Sequence, residues 1–258
     1  MEALVELQEL EADLRCAELA LARERYEHFA EYAIPDQSTG QPIQLCELQR
    51  AWFDHVRACH DSGLHAGILA PWGHGKTSHF GVGWPLWQLG RNAATTCKII
   101  CSGNEEAVKR TKAARSHIVE NGLVRDVFAH LKPSRHERVW RGGGFTVDRP
   151  EYGQIEPSYE AKGLLQSGMG PRVHHLVFDD PEDLRKALSP KCREVGWEIY
   201  QTKWMSRLHP GCLAIHITTA LHEKDIPHRI MNGPQSKAWR WLIQRVSADC
   251  TSIECEVV

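Results

Sequence analysis

Apolar residues in this chain fall into two rhythms, and the change from one to the other predicts the architecture. Leu7, Leu10, Leu14, Ala17 and Leu21 recur at steps of three and four, which places them on one stripe of a single helix over residues 2–31. A turn-rich segment from Ile34-Pro35-Asp36 to Pro42 ends this part. A second helix is expected over residues 47–58. Beyond it come short apolar runs of strand length at 66–70, 95–101, 145–147, 173–178, 212–218 and 238–246. Helical sequence separates them at about 102–120, with Asn121-Gly122 as its stop, and at 191–206. Strands alternating with helices predict an α/β fold, a mostly parallel sheet flanked by helices. The expected division is an N-terminal helical extension at 1–42 and one α/β domain at 43–258.

Composition narrows the picture. The chain has 258 residues, 42% of them hydrophobic, enough to bury the core of one large domain. A net charge of −2 excludes a uniformly basic nucleic-acid binder. Charge is nevertheless segregated. Residues 1–31 carry nine acids against Arg15, Arg23 and Arg25. Residues 107–141 reverse this, with Lys109, Arg110, Lys112, Arg115, Arg125, Lys132, Arg135, Arg138 and Arg141 against Glu120, Asp126 and Glu137. The nine cysteines form no Cys-x-x-Cys pair, and Cys212, His216 and His222 lack zinc spacing, so reduced thiols are expected. No apolar run reaches 18 residues and the N-terminus is acidic, so neither a membrane span nor a secretory signal is expected.

Three segments carry chemistry. Ala70-Pro71-Trp72-Gly73-His74-Gly75-Lys76-Thr77 lies between a strand and a helix, where small residues let backbone N–H groups face a phosphate chain. Lys76 is expected to reach the β- and γ-phosphates of ATP and Thr77 to ligate Mg²⁺. Ala70 stands where a glycine is usual, which is tolerable unless that position needs positive φ. Asp179-Asp180 ends a buried strand, where ligands bind in open α/β sheets. Asp179 is assigned to Mg²⁺ and Asp180 to the attacking water, with Glu182 or Asp183 as alternatives for the second role. Together these features specify a P-loop NTPase of the RecA-like (ASCE) type.

In sequence the chain resembles the large terminase subunit of tailed bacteriophages, the ATPase that pumps DNA into procapsids. Pro71-x-Gly73-His74-Gly75-Lys76-Thr77 resembles its phosphate loop, Phe178-Asp179-Asp180-Pro181 its acidic motif, and Thr219-x-x-His222-Glu223-x-Asp225 its coupling motif. The resemblance spans about residues 44–245. It implies that Thr219 senses the γ-phosphate and that Gln49, in Leu45-x-x-x-Gln49, reads adenine. It also implies a finger arginine supplied by a neighbouring subunit, for which Arg172 is the candidate, with Arg138 and Arg141 behind it. Trp72 and Ala220 replace arginines of the family pattern, so two phosphate-contacting charges are missing.

The partners implied are double-stranded DNA, gripped through the basic stretch 107–141, further copies of the chain in a ring, a portal protein and a small terminase subunit. The implied location is the host cytoplasm, docked transiently at the procapsid portal. The family's C-terminal nuclease has no counterpart before Val258, so nuclease activity is not expected. Two other readings fit the same motifs: an ATP-gated assembly module assembling through Leu7–Leu21, and a helicase-like P-loop ATPase.

Overall fold

The computed structural model describes residues 2–36, 39–135, 143–150, 156–168, 170, 172–247 and 252–258. The chain opens with helices α1 (Glu2–Glu24), α2 (Tyr26–Ala33) and α3 (Glu47–Asp61). Strand β1 (His65–Leu69) leads through a loop into a π-helical turn (Thr77–Gly83) that continues as α4 (Trp84–Arg91). Then follow β2 (Cys97–Cys101), α5 (Asn104–Val119), α6 (Gly122–Val127), β3 (Gly144–Phe145), β4 (Tyr159–Gly163) and β5 (His175–Asp179). Helices α7 (Leu184–Leu188) and α8 (Pro190–Ile199) precede a second π turn (Tyr200–Trp204). Strand β6 (Ala214–Thr218), α9 (Ile226–Asn232), β7 (Trp239–Val246) and β8 (Ile253–Val257) complete the described order.

The eight strands form one sheet in the order β3-β4-β2-β5-β6-β1-β7-β8. The six inner strands run parallel, and β3 and β8 close the two edges antiparallel. Every residue of β2 and β6 is buried, which is why these strands read as continuous apolar runs. Register matters for the site. Leu69 of β1 pairs with Thr218 of β6, and Ile217 of β6 pairs with Asp179 of β5. The C-terminal ends of these three strands are therefore side by side, and each is followed by one of the three motifs.

One face of the sheet packs on α2 to α5 around Phe29, Trp52, Phe53, Phe80 and Trp87; the other packs around Tyr200, Trp204 and Ile230. Here the structure departs from the expected single N-terminal helix. The chain breaks at Arg25, whose backbone is extended (φ −127°, ψ 129°). The break turns α2 inward, so Tyr26, Phe29, Ala30 and Ala33 join the main core while the leucine stripe of α1 stays in solvent. Helix α5 stops at Val119, where its end was expected, and Asn121 then acts as a cap: its side chain accepts from the N–H groups of Leu123 and Val124 and starts α6. The helix expected over 191–206 loses its regular pitch at Tyr200. Strands β4 and β8 were not legible, because Tyr159-Glu-Ala-Lys-Gly163 and Ile253-Glu-Cys-Glu-Val257 mix charge with small residues at edge or near-edge positions.

Candidate phosphate and metal site

The loop after β1 carries two left-handed residues, Gly73 (φ 82°) and Gly75 (φ 80°). Only glycine adopts these angles freely, and they turn successive N–H groups toward one point. Ala70 lies outside that region, so alanine costs nothing at this position. The Lys76 ammonium is buried and donates to the carbonyls of Ala70 (3.0 Å) and Pro71 (3.1 Å) and to the hydroxyl of Thr219. That hydroxyl in turn donates to Ala70 O at 3.0 Å. Burial lowers the Lys76 pKa, while the nearby carboxylates of Asp180 and Asp179 pull it back up.

Asp179 is fully buried at the end of β5. Its Oδ1 accepts from Thr77 Oγ1 at 3.1 Å and its Oδ2 from Arg110 Nε at 2.7 Å. Burial pushes its pKa up, and the Arg110 guanidinium opposes that rise. The π turn after the loop is what brings Thr77 here, and its Gly81 is needed for the fit. A Cβ on Gly81 would stand 2.6 Å from Asp179 Oδ2. The same turn is braced from behind by α2, where the Tyr26 hydroxyl lies 3.0 Å from His79 Nδ1 and 3.3 Å from His79 O. Burial drops the His79 pKa to about 4, so its ring is neutral.

Asp180 is the one described non-glycine residue with positive φ, at 47°. Aspartate tolerates this conformation better than most residues, and such outliers cluster at functional sites. The turn points its Oδ1 back over β6, where it accepts from Thr218 Oγ1 (3.0 Å) and the Thr219 N–H (3.1 Å). Glu182 and Asp183 are occupied elsewhere. Glu182 Oε2 accepts from Ile226 N at 2.8 Å, and Asp183 caps α7. Asp225 caps α9 and gathers the N–H groups of Leu221 and His222, which holds the segment after Thr219 in place.

A cavity of about 550 Å³ opens over these groups, with Lys76, Thr77, Asp180, Gln49 and Trp72 among its walls. The donor set suits its expected occupants. Two left-handed glycines and a buried ammonium fit a phosphate chain. A hydroxyl and a carboxylate oxygen 3.1 Å apart are the hard oxygen ligands that Mg²⁺ takes.

The fold is similar to that of the HK97 bacteriophage large terminase, with a TM-score of 0.56 over 83% of this chain at 19% sequence identity. This chain has a terminase large-subunit fold. It spans 42% of the length of the HK97 protein. No family model matches the sequence, and no curated protein matches it.

Within this terminase fold the remaining site residues separate into near and far. Gln49 sits in the first turn of α3, where its Oε1 accepts from Cys46 N (3.1 Å) and its Nε2 donates to His74 O (2.9 Å). Pro71, Gly73, His74 and Gly75 form the loop itself. Trp72 stands at its tip, 65% exposed. Arg172 is exposed and precedes the N-terminal end of β5, so the length of that strand separates it from Asp179 within one chain. Arg138 and Arg141 lie outside the described residues, as do Met169 and Pro171 beside Arg172.

Sequence reasoning placed Arg110 in a basic stretch facing DNA, and the structure puts it elsewhere. Arg110 is buried, and besides Asp179 its guanidinium reaches Thr77 Oγ1 at 3.4 Å. A signal did exist. Ala107, Arg110, Thr111, Ala114 and Ile118 share the inward face of α5, and an arginine on such a face needs an internal partner. Lys109 and Lys112 remain exposed on the outer face.

Proposed function

We propose that this chain is the Mg²⁺-dependent ATPase motor of a phage terminase, coupling ATP hydrolysis to translocation of double-stranded DNA into a procapsid. The observation that carries this reading is the chain of hydrogen bonds from Lys76 through Thr219 to Asp180, which links all three motifs beside one cavity. In this reading Lys76 leaves its loop carbonyls to hold the β- and γ-phosphates, and the N–H groups around Gly73 and Gly75 cradle the chain. Thr77 and Asp179 would hold Mg²⁺, which when bound neutralises phosphate charge. Asp180 orients the attacking water. Arg110, from α5, holds Asp179 in place.

Thr219 is the coupling element. Its hydroxyl reports on Lys76, and its N–H is tied to Asp180, so a change at the γ-phosphate reaches the segment after β6. Gln49 contacts adenine through the amide edge left free beside His74. Arg172 reaches the site of an adjacent copy in a ring, which accords with its exposure far from its own cavity. Exposed Lys109 and Lys112 contact DNA phosphates. A portal protein and a small terminase subunit complete the assembly in the host cytoplasm. Among the described residues, no helix is long and apolar enough to cross a membrane.

The test is Mg²⁺-dependent ATP turnover across a protein concentration series, with and without linear duplex DNA. Turnover that rises faster than linearly with concentration and is lost in Lys76→Ala supports the motor. ATP binding without turnover at every concentration would replace it with a nucleotide-gated assembly module.

A further inference from the structure

The cavity over the phosphate loop, the buried Lys98–Glu156–Glu160 ion cluster and the unpartnered His216 ring belong to the site or the core. Helix α1, apart from Leu19 and Ala22, belongs to neither. It is 23 residues long, which at 1.5 Å per residue makes a rod of about 35 Å. Every described residue from 4 to 18 is exposed. Among the described residues the helix is fastened along its C-terminal half, where Leu19 packs on the core and Trp87 Nε1 donates to Ala22 O at 3.0 Å. Arg15 pairs with Asp126 at 2.8 Å, Arg23 donates to Val127 O at 2.8 Å, and Ala22 is buried.

Leu7, Leu10, Leu14 and Leu21 point away from those contacts. On a helical projection the centre of this stripe lies about a third of a turn from the centre of Arg15, Leu19 and Ala22. They are large and open to water, with Leu10 at 64% and Leu14 at 62% exposure. Leu7, Leu14 and Leu21 are spaced by seven, with Leu10 and Ala17 between them, which is the seam of a two-stranded coiled coil. A helix with this little support is marginal in water on its own, and a contiguous exposed apolar row marks an interaction surface.

The flanks say what covers it. In the heptad frame set by the leucines, one side of the seam carries Glu6 and Asp13 and the other Glu11 and Glu18. No cation stands at any flanking position. Two copies of α1 laid together, parallel or antiparallel, would set acids against acids along both edges, which disfavours self-pairing. We infer that α1 is the docking strand for a helix of a different protein that bears an apolar heptad seam flanked by Lys or Arg. The sign pattern then serves both attraction and exclusion: it admits a basic helix and repels α1 of another copy.

The probe is a synthetic helical peptide with Leu at both seam positions and Lys at both flanking positions, titrated onto the full chain by fluorescence anisotropy. A second peptide carries Glu at the flanks. The Lys peptide is expected to bind and the Glu peptide not to. Leu10→Ala with Leu14→Ala should weaken binding by at least roughly tenfold, as for a pair of central apolar anchors. Both positions are solvent-exposed and alanine keeps helix propensity, so circular dichroism and ATP turnover should be unchanged. Reversing the flanks with Glu6→Lys, Glu11→Lys, Asp13→Lys and Glu18→Lys should exchange the preference, so that the Glu peptide binds instead. Absence of Lys-peptide binding, equal binding of both peptides, or binding untouched by the leucine variant would overturn the inference. Sedimentation that shows the chain dimerising alone, and monomeric in the leucine variant, would assign the seam to a second copy and overturn it equally.

Discussion

The Nε of Arg110 donates a 2.7 Å hydrogen bond to Oδ2 of Asp179, and both side chains are buried beneath the phosphate loop. An acid that ends a buried strand is costly to keep ionised, and a guanidinium from the neighbouring helix α5 offsets that cost. The pair also puts a cation beside the oxygens proposed to hold Mg²⁺, although the loop carries tryptophan where the family pattern has arginine.

Replacing Arg110 with Ala should destabilise the chain by roughly 3 kcal/mol, because it strands a buried carboxylate. Combining it with Asp179→Asn should recover a large part of that loss. Urea denaturation of the two single variants and the double variant measures the coupling directly. Additive losses would show that the two groups do not act as a pair.

Asp180→Asn should abolish ATP turnover while leaving ATP binding within a few-fold of the parent. Asparagine tolerates left-handed backbone as aspartate does, so the turn at φ 47° survives and the loss isolates the carboxylate. Binding by a fluorescent nucleotide and turnover by phosphate release separate the two effects. Unchanged turnover would remove Asp180 from its role.

Tyr26→Phe should cost about 1–2 kcal/mol by leaving buried His79 Nδ1 without its hydroxyl neighbour. Its effect should also appear as weaker nucleotide binding, since His79 lies in the turn that presents Thr77. Chemical denaturation and a nucleotide titration measure both. A loss of stability with unaltered binding would confine Tyr26 to the core.

The fully buried His216 should make the chain acid-sensitive. Burial drops its pKa to about 3, and among the described residues neither ring nitrogen has a hydrogen-bond partner. The folded-state value is depressed below the unfolded value of 6.5, so the unfolded chain binds the extra proton and stability falls as pH drops below that value. His216→Phe removes this slope. Relative to the parent, the variant should therefore gain about 2 kcal/mol between pH 8 and pH 5. Thermal melts at both pH values test it, and parallel curves would show that His216 does not titrate as a buried group.

Much of this arrangement was written locally. The glycine-rich loop, the acidic strand end and the threonine after β6 were legible because each is a short run whose chemistry depends on its immediate neighbours. Alternation of apolar runs likewise announced the parallel sheet, since strands buried on both faces must be apolar throughout. Besides strands β4 and β8, three features were not legible. The break at Arg25 has neither proline nor glycine to announce it; α2 turns inward because Tyr26 and Phe29 find a pocket among residues far along the chain. The inward turn of Arg110 depends on β2 lying beside β5, which brings α5 against Asp179, 69 residues away. The placement of Asp180 shows only once the end of β6 supplies the Thr219 N–H from which its carboxylate accepts. Sequence by itself determined most of the elements and marked the glycine-rich loop and the acidic strand end, because propensity and periodicity act over a few residues. Tertiary structure alone decided which charges are buried together and which apolar face is left open, because desolvation depends on what the rest of the chain places nearby.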